Sequence, residues 1–159
     1  MDSNNDASTD LIWLKSIMKQ ELDLKPPSLA RMRGKAIITR DENGSPTGHA
    51  ALTNRWQGIE INTFVVDPAH RGKGISHQLL SKVDASRAFC YTRNKKLQSA
   101  LVKAGYRRAF FPGVVSSVNL ILSRTGIFLW MLLMLDFKRI IHQIKNLPNY
   151  KLYMKTKFD

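Results

Sequence analysis

The sequence predicts an α/β (mixed α+β) fold: a central sheet of mixed strand direction flanked by helices, with an extra apolar helix before the last strand. Three observations carry this. The elements run hairpin, strand, helix, strand, helix, strand, an order that one layered domain satisfies by packing helices on a mixed sheet. The chain has 159 residues, enough for one domain that buries roughly two-thirds of its unfolded surface. Residues 128–134, Phe-Leu-Trp-Met-Leu-Leu-Met, are apolar all round a helix, so that segment must be covered by something.

Taken in order, residues 1–9 are polar and read as a loose tail, and residues 10–159 as a single domain. Asp10 is placed to cap a helix reaching about Leu24, with Leu11, Leu14, Ile17, Met18 and Leu22 near helical spacing. Pro26 and Pro27 stop it. Residues 35–40 read as a strand, residues 42–46 as a turn, and residues 49–56 as the second arm of a hairpin. Residues 58–66 form a third strand ended by Asp67-Pro68. Residues 74–84 are helical, with Ile75, Leu79, Leu80 and Val83 on one face. Residues 87–92 read as a buried strand. Residues 94–104 read as a helix closed by Gly105. Residues 114–122 are consistent with another strand, residues 126–146 with a helix that is apolar first and amphipathic later, and residues 150–155 with a last strand after Pro148.

The net charge is +13 and unevenly placed. Residues 1–84 hold 11 Lys/Arg against 10 Asp/Glu, whereas residues 85–159 hold 14 against 2. Such a half invites an anionic partner: a phosphorylated cofactor, nucleic acid or an anionic membrane surface. The single cysteine, Cys90, excludes an internal disulfide and a thiolate-rich zinc site. In its apolar run it reads as an inert core thiol. His142 has no metal partner at helical spacing, and no metal is expected. The N-terminus lacks a signal peptide's basic start and apolar core, and no stretch reaches about 18 uninterrupted apolar residues. A cytoplasmic protein is the expectation.

The most informative stretch is Val65-Val66-Asp67-Pro68-Ala69-His70-Arg71-Gly72-Lys73-Gly74-Ile75-Ser76. A strand ends, a Gly-containing turn follows and a helix begins at once. There the unpaired N–H groups and the positive helix end converge. Gly72 and Gly74 let a pyrophosphate approach the backbone, and Arg71 and Lys73 add charge. The turn lacks the Gly-Lys-Ser/Thr ending and the third glycine of the two usual nucleotide motifs.

Arg71-Gly72-Lys73-Gly74-Ile75-Ser76 resembles the acyl-CoA pyrophosphate motif of the GNAT acetyltransferases, Gln/Arg-x-x-Gly-x-Gly/Ala. Phe64-Val65-Val66-Asp67-Pro68 resembles that family's splayed strand, which pairs with the pantetheine arm. Asn94, followed by Lys103-Ala104-Gly105-Tyr106, is similar to its second cofactor segment. The resemblance covers residues 35–110 and implies a splayed sheet, acetyl-CoA as co-substrate and transfer of its acetyl group to an amine by direct attack in a ternary complex. It implies cofactor contacts at Phe64, Val65, Val66, Arg71, Gly72, Lys73, Gly74, Ile75, Ser76, His77 and Asn94. It implies a base at Glu60, 11 residues before Arg71, and an oxyanion donor in the backbone N–H of Val65 or Val66. The family's frequent tyrosine, seven positions after the helix-opening Asn, is here Leu101, which cannot protonate a thiolate. Only 20 positions separate Gly74 from Asn94, so the helix between them must be short.

The acceptor is expected to be a small or amino-acid-like amine, or a protein amine. Two alternatives compete: a catalytically weakened acyl-CoA-binding module, and an acetyltransferase acting on an RNA-linked substrate. Arg107-Arg108-Ala109-Phe110-Phe111 mixes cations with aromatics as stacking surfaces do. The apolar segment from Gly126 suits core packing, a homodimer interface or peripheral membrane contact.

Overall fold

The computed structural model describes residues 3–31 and 35–156, with side chains from Ala7 onward. Six strands form one sheet in the order β1-β2-β3-β4-β6-β5. β1 (Ala36–Arg40) and β2 (Pro46–Asn54) make the expected hairpin. The Asp41 carboxylate closes its turn by accepting from the backbone N–H of Asn43 and Ser45 at 3.0 and 2.8 Å. β3 (Ile59–Val66) runs antiparallel to β2, and β4 (Arg87–Thr92) runs parallel to β3. That parallel ladder pairs only Ile59 with Ala88 and Glu60 with Phe89. Beyond this point β3 and β4 diverge and leave a wedge between their carboxyl ends. β6 (Lys151–Thr156) pairs with β4 along its whole length, and β5 (Arg107–Ala109) closes the far edge against β6.

Helices cover both faces. α2 (Ile75–Ser81) and α3 (Lys95–Lys103) bury Ile75, Leu79, Leu80 and Leu101 against Ala50, Ile61, Ala88 and Cys90. Gly48 lets α2 sit low on the sheet, since a Cβ there would lie 2.6 Å from Ile75 Cγ2. Side chains alternate along a strand, so the opposite face takes Glu60, Val65 and Phe89. α1 (Ser3–Gln20) packs Leu14, Ile17 and Met18 on Val65. α4 (Val114–Leu133) sets Leu120 on Phe89 and Leu152. α5 (Phe137–Asn146) follows after a break at Leu135, whose φ is 55°.

A bulge in β3 gives the wedge its shape. His49 pairs with Val65 and Ala51 with Asn62, so Thr63 and Phe64 together oppose Ala50. Thr63 has φ 45°, costly for a β-branched residue. Buried His49 holds its carbonyl, with Nδ1 donating to Thr63 O at 3.1 Å. The extra residue changes the phase of the strand. Ile61, Phe64 and Val66, rather than alternate residues throughout, pack on the α2 face.

Several expectations change. α1 begins at Ser3, so Asp10 lies inside the helix and caps nothing. Asp10 is 3% exposed and receives Arg40 at 3.0 Å. The helix stops at Gln20, before Leu24. Residues 114–122 are not a strand; they open α4, because Pro112-Gly113 start a helix that tertiary packing extends past the β-branched valines. The helix read over residues 126–146 is accordingly two helices. Within the cation-aromatic run 107–111, residues 107–109 form the short strand β5, and Arg108 lies over the Phe110 ring. With its two parts joined, α4 is, by length and composition, long and apolar enough to cross a membrane.

Candidate active site

The wedge brings two loop-to-helix junctions together at the carboxyl ends of β3 and β4. At the first, Gly72 and Gly74 have φ of 83° and 77°, left-handed values that favour glycine. A Cβ built on either meets nothing within 4 Å, so the backbone there is open to a ligand. No side chain caps α2, and its first intrahelical bond is Gln78 N to Gly74 O at 3.1 Å. The amides of Ile75, Ser76 and His77 therefore precede the helical ladder and converge at the positive helix end. Ile75 is 8% exposed in the core, so it offers only its backbone. Lys73 and His77 are exposed and Ser76 is half-buried. Arg71 points away from the turn, with Nη2 donating to Glu21 Oε1 at 3.0 Å.

At the second junction Asn94 caps α3, its Oδ1 accepting from Lys96 N and Leu97 N at 2.9 and 3.1 Å. It shapes this helix start, and its amide nitrogen is what it can offer a ligand.

Along the wedge wall, Phe64 and Val66 pack towards α2 and Val65 towards α1. The N–H of Asp67 donates to Thr47 O on the β2 side at 2.9 Å. By strand alternation the N–H of Val66 points the other way, into the wedge.

Glu60 lies on the α4 face, 2% exposed. Its Oε2 accepts from Arg55 Nε at 2.8 Å, and its Oε1 accepts from Arg124 Nη2 at 3.1 Å. Arg55 is held in turn by Asn119 Oδ1 at 2.7 Å. The Arg55 side chain is 10% exposed but that of Arg124 is 54% exposed. The outer bond is therefore the weak one, and Oε1 is the oxygen an incoming group can reach. Lys25 is largely desolvated, which lowers its pKa together with the repulsion of Arg31, while attraction to Glu60 opposes the shift. Sequence reasoning singled out Glu60 and missed these partners. Arg55, five residues before it and just past the end of β2, was the readable signal.

A second polar cluster, also missed, joins the turn after α1, the wedge mouth and α5. The Asp23 carboxylate receives Arg93 Nε at 2.8 Å, His142 Nε2 at 2.9 Å and the Tyr150 hydroxyl at 3.2 Å. Burial pushes the Asp23 carboxyl up, but its bonds from Arg93 and His142 outweigh this and hold it below its ordinary value. Burial raises the Tyr150 phenol to about 12, helped by Asp23. Leu101 is fully buried and belongs to the core. Burial likewise raises the Cys90 thiol to about 12, which leaves it no thiolate for chemistry at neutral pH. Among the described residues no group of three His, Cys, Asp or Glu could hold a metal.

His49 gives this region a pH signature. Burial depresses its pKa below the ordinary 6.5, with the Thr63 bond opposing, and its Nε2 has no partner among the described residues. Above pH 6.5 the folded and unfolded states are both neutral there and its contribution is complete. As pH falls below 6.5 only the unfolded chain takes up the proton, so stability falls by up to about 1.4 kcal/mol per pH unit. Thermal midpoints between pH 7.5 and 5 should show this decline, and His49→Gln should flatten it. An equal slope in the variant would assign the decline to other groups.

Comparison with known proteins agrees with this geometry. No curated protein matches the chain in sequence. Among solved structures, the Mycobacterium tuberculosis protein Rv2747, in complex with CoA and NLQ, superposes with TM-score 0.59 at 17% identity. The match covers 94% of this chain and 95% of that one. N-acetylglutamate synthase from Neisseria gonorrhoeae, complexed with coenzyme A and N-acetyl-glutamate, superposes with TM-score 0.57 at 16% identity. That match covers 92% of this chain but 32% of the synthase, so the chain spans about a third of that enzyme. At these identities both likenesses concern the fold. The sequence profile of the Acetyltransferase (GNAT) family matches residues 6–109, a span holding most of α1, the bulged strand, the glycine turn and the Asn94 cap, and the chain belongs to that family.

Proposed function

We propose that this protein transfers the acetyl group of acetyl-CoA to an amine by direct attack in a ternary complex. The observation that carries the reading is the wedge between β3 and β4, with an uncapped, glycine-opened helix start at its mouth. In this reading the amides of Gly72, Gly74, Ile75, Ser76 and His77 bind the pyrophosphate, with Lys73 nearby. Phe64, Val65 and Val66 pair with the pantetheine arm, and Asn94 borders it. Arg71 joins them only by leaving Glu21.

The amine attacks the thioester carbonyl carbon, the oxyanion is met by the Val66 N–H, and the C–S bond breaks as the second proton lost by the acylated nitrogen passes through water to the departing thiolate. Glu60 Oε1 accepts the proton the amine loses, directly or through water, once Arg124 swings aside. The displaced, half-exposed guanidinium of Arg124 then suits a carboxylate on the acceptor, which favours an amino-acid-like amine. The solved relative bearing N-acetyl-glutamate is consistent with that class. Glu60's two arginine bonds and the buried Leu101 favour a second reading, an acyl-CoA-binding module with weak turnover.

The first test is thermal unfolding with and without acetyl-CoA, with adenosine diphosphate as control. Ligand at 100 times its dissociation constant adds about 2.7 kcal/mol. For a chain of this size the midpoint should rise roughly 5–10 °C. No rise at millimolar acetyl-CoA would sink both readings, while a rise without turnover on any amine would leave the second.

A further inference from the structure

The outer surface of α4 and α5 is apolar and belongs to neither the sheet core nor the wedge. On α4 the residues Val118, Ile121, Leu122, Leu129 and Leu132 recur at helical spacing and are 38–65% exposed. α5 is turned inside out. Its polar side, with Arg139, His142 and Gln143, faces the protein and bonds Met18 O, Asp23 and Leu22 O. Its apolar side carries Phe137, Ile141 and Ile144, which are 52–63% exposed. Only Ile140 of that side is buried. An amphipathic helix that hides its charges and shows its isoleucines is built for a partner.

Charge selects among the partners. Lys138 and Lys145 share one flank of the α5 apolar stripe, and both are exposed. Arg107 and Arg108, also exposed, precede Phe110 and Phe111 at the other end of α4, Phe110 being 92% exposed. The 14 Lys/Arg of residues 85–159 against 2 Asp/Glu make this half repel a second copy of itself and attract an anionic surface. Apolar residues rimmed by cations are what an interfacial helix presents to acidic lipid.

Spanning is the poorer fit, despite the length of α4. Its inner side is tied to the sheet: Ser116 Oγ donates to Arg55 O at 3.1 Å, Arg124 bonds Glu60, and Met131 is 2% exposed. Crossing a bilayer would strip away these contacts and carry Arg124 into hydrocarbon.

We propose that the outer face of α4 and α5 docks in the plane of an anionic membrane surface. The proposal is independent of the acetyl-transfer reading. The test is sedimentation of the full chain with phosphatidylcholine vesicles, with and without phosphatidylserine. Binding should require phosphatidylserine and weaken with salt. The triple variant Phe137→Ser/Ile141→Gln/Ile144→Gln should bind about a hundredfold more weakly. Lys138→Glu/Lys145→Glu should lose most of the dependence on phosphatidylserine. Unchanged circular dichroism and thermal midpoint show that each variant folds. Binding indifferent to lipid charge, or surviving in the triple variant, overturns the proposal. So does a protein that ignores vesicles but is a dimer in sedimentation equilibrium and becomes monomeric in the triple variant.

Discussion

Glu60→Gln should lower kcat/KM for acetyl transfer by about 10²–10⁴-fold, the range that a positioned general base contributes, while the midpoint rise with acetyl-CoA persists. Gln keeps the size of the side chain and cannot take a proton at neutral pH. The substitution also leaves the buried Arg55 guanidinium without its carboxylate, so the protein will lose stability as well. Turnover must therefore be measured below the variant's own unfolding transition. Arg124→Gln separates the roles, since it removes the exposed partner and leaves the carboxylate and Arg55 in place. If Glu60 is the base, Arg124→Gln keeps kcat within an order of magnitude and raises KM for an acceptor bearing a carboxylate. Turnover unchanged in Glu60→Gln would reduce Glu60 to a brace for two arginines.

The second large effect is structural. Arg139 is 3% exposed and its guanidinium gathers the end of α1, donating to Met18 O, Glu21 O and Leu24 O at 3.0, 2.8 and 2.7 Å. Its Nε donates to Asp136 at 3.1 Å. A cation at a helix C-terminus is favourable, and here one side chain satisfies three carbonyls and ties α5 to α1. Arg139→Met keeps most of the volume and removes every donor. The loss should be about 3–5 kcal/mol, as for a buried charge network deprived of one member. A chain of this size would then unfold roughly 6–20 °C lower. Arg139→Lys should recover only part, because an ammonium lacks the planar fork that reaches three oxygens. A loss under about 1 kcal/mol in Arg139→Met would mean that water replaces the guanidinium without penalty.

The difference between these two residues shows how far the sequence could be read. Glu60 stood out because it lies 11 residues before Arg71, where the family resemblance implies a base. Nothing marked Arg139, since a lysine or arginine on an amphipathic helix ordinarily faces water. The same rule hid the orientation of α5, whose pattern is regular while its apolar side points outward. β4 was read with its observed bounds, Arg87–Thr92, because an apolar run between turn residues has one compact outcome. Val114 and Val115 suggested a strand through local preference, which the packing of Leu120 on Phe89 and Leu152 overrode. The bulge left no mark at all. Thr63 takes its positive φ from the register between β2 and β3 and from His49 behind it, and neither is local to Thr63. The glycine-turn side of the wedge, made by adjacent residues, was therefore legible. The opposite side, assembled from α1, α4 and α5, was not.

The strand order also bears on how the chain is made. β6 lies between β4 and β5 and is their shared partner, yet it comes after both of them and after two helices. On the ribosome, the hairpin β1–β2, β3 and α2 can assemble as they emerge. β4 then waits with a bare edge, and β5 has nothing to pair with, until β6 arrives. Throughout that wait the apolar turns of α4 are already in the tunnel or beyond it. A nascent chain with an unpaired strand edge beside a hydrophobic helix is prone to aggregate. Chaperone demand during synthesis should therefore peak while residues 114–150 are translated and subside once β6 seats.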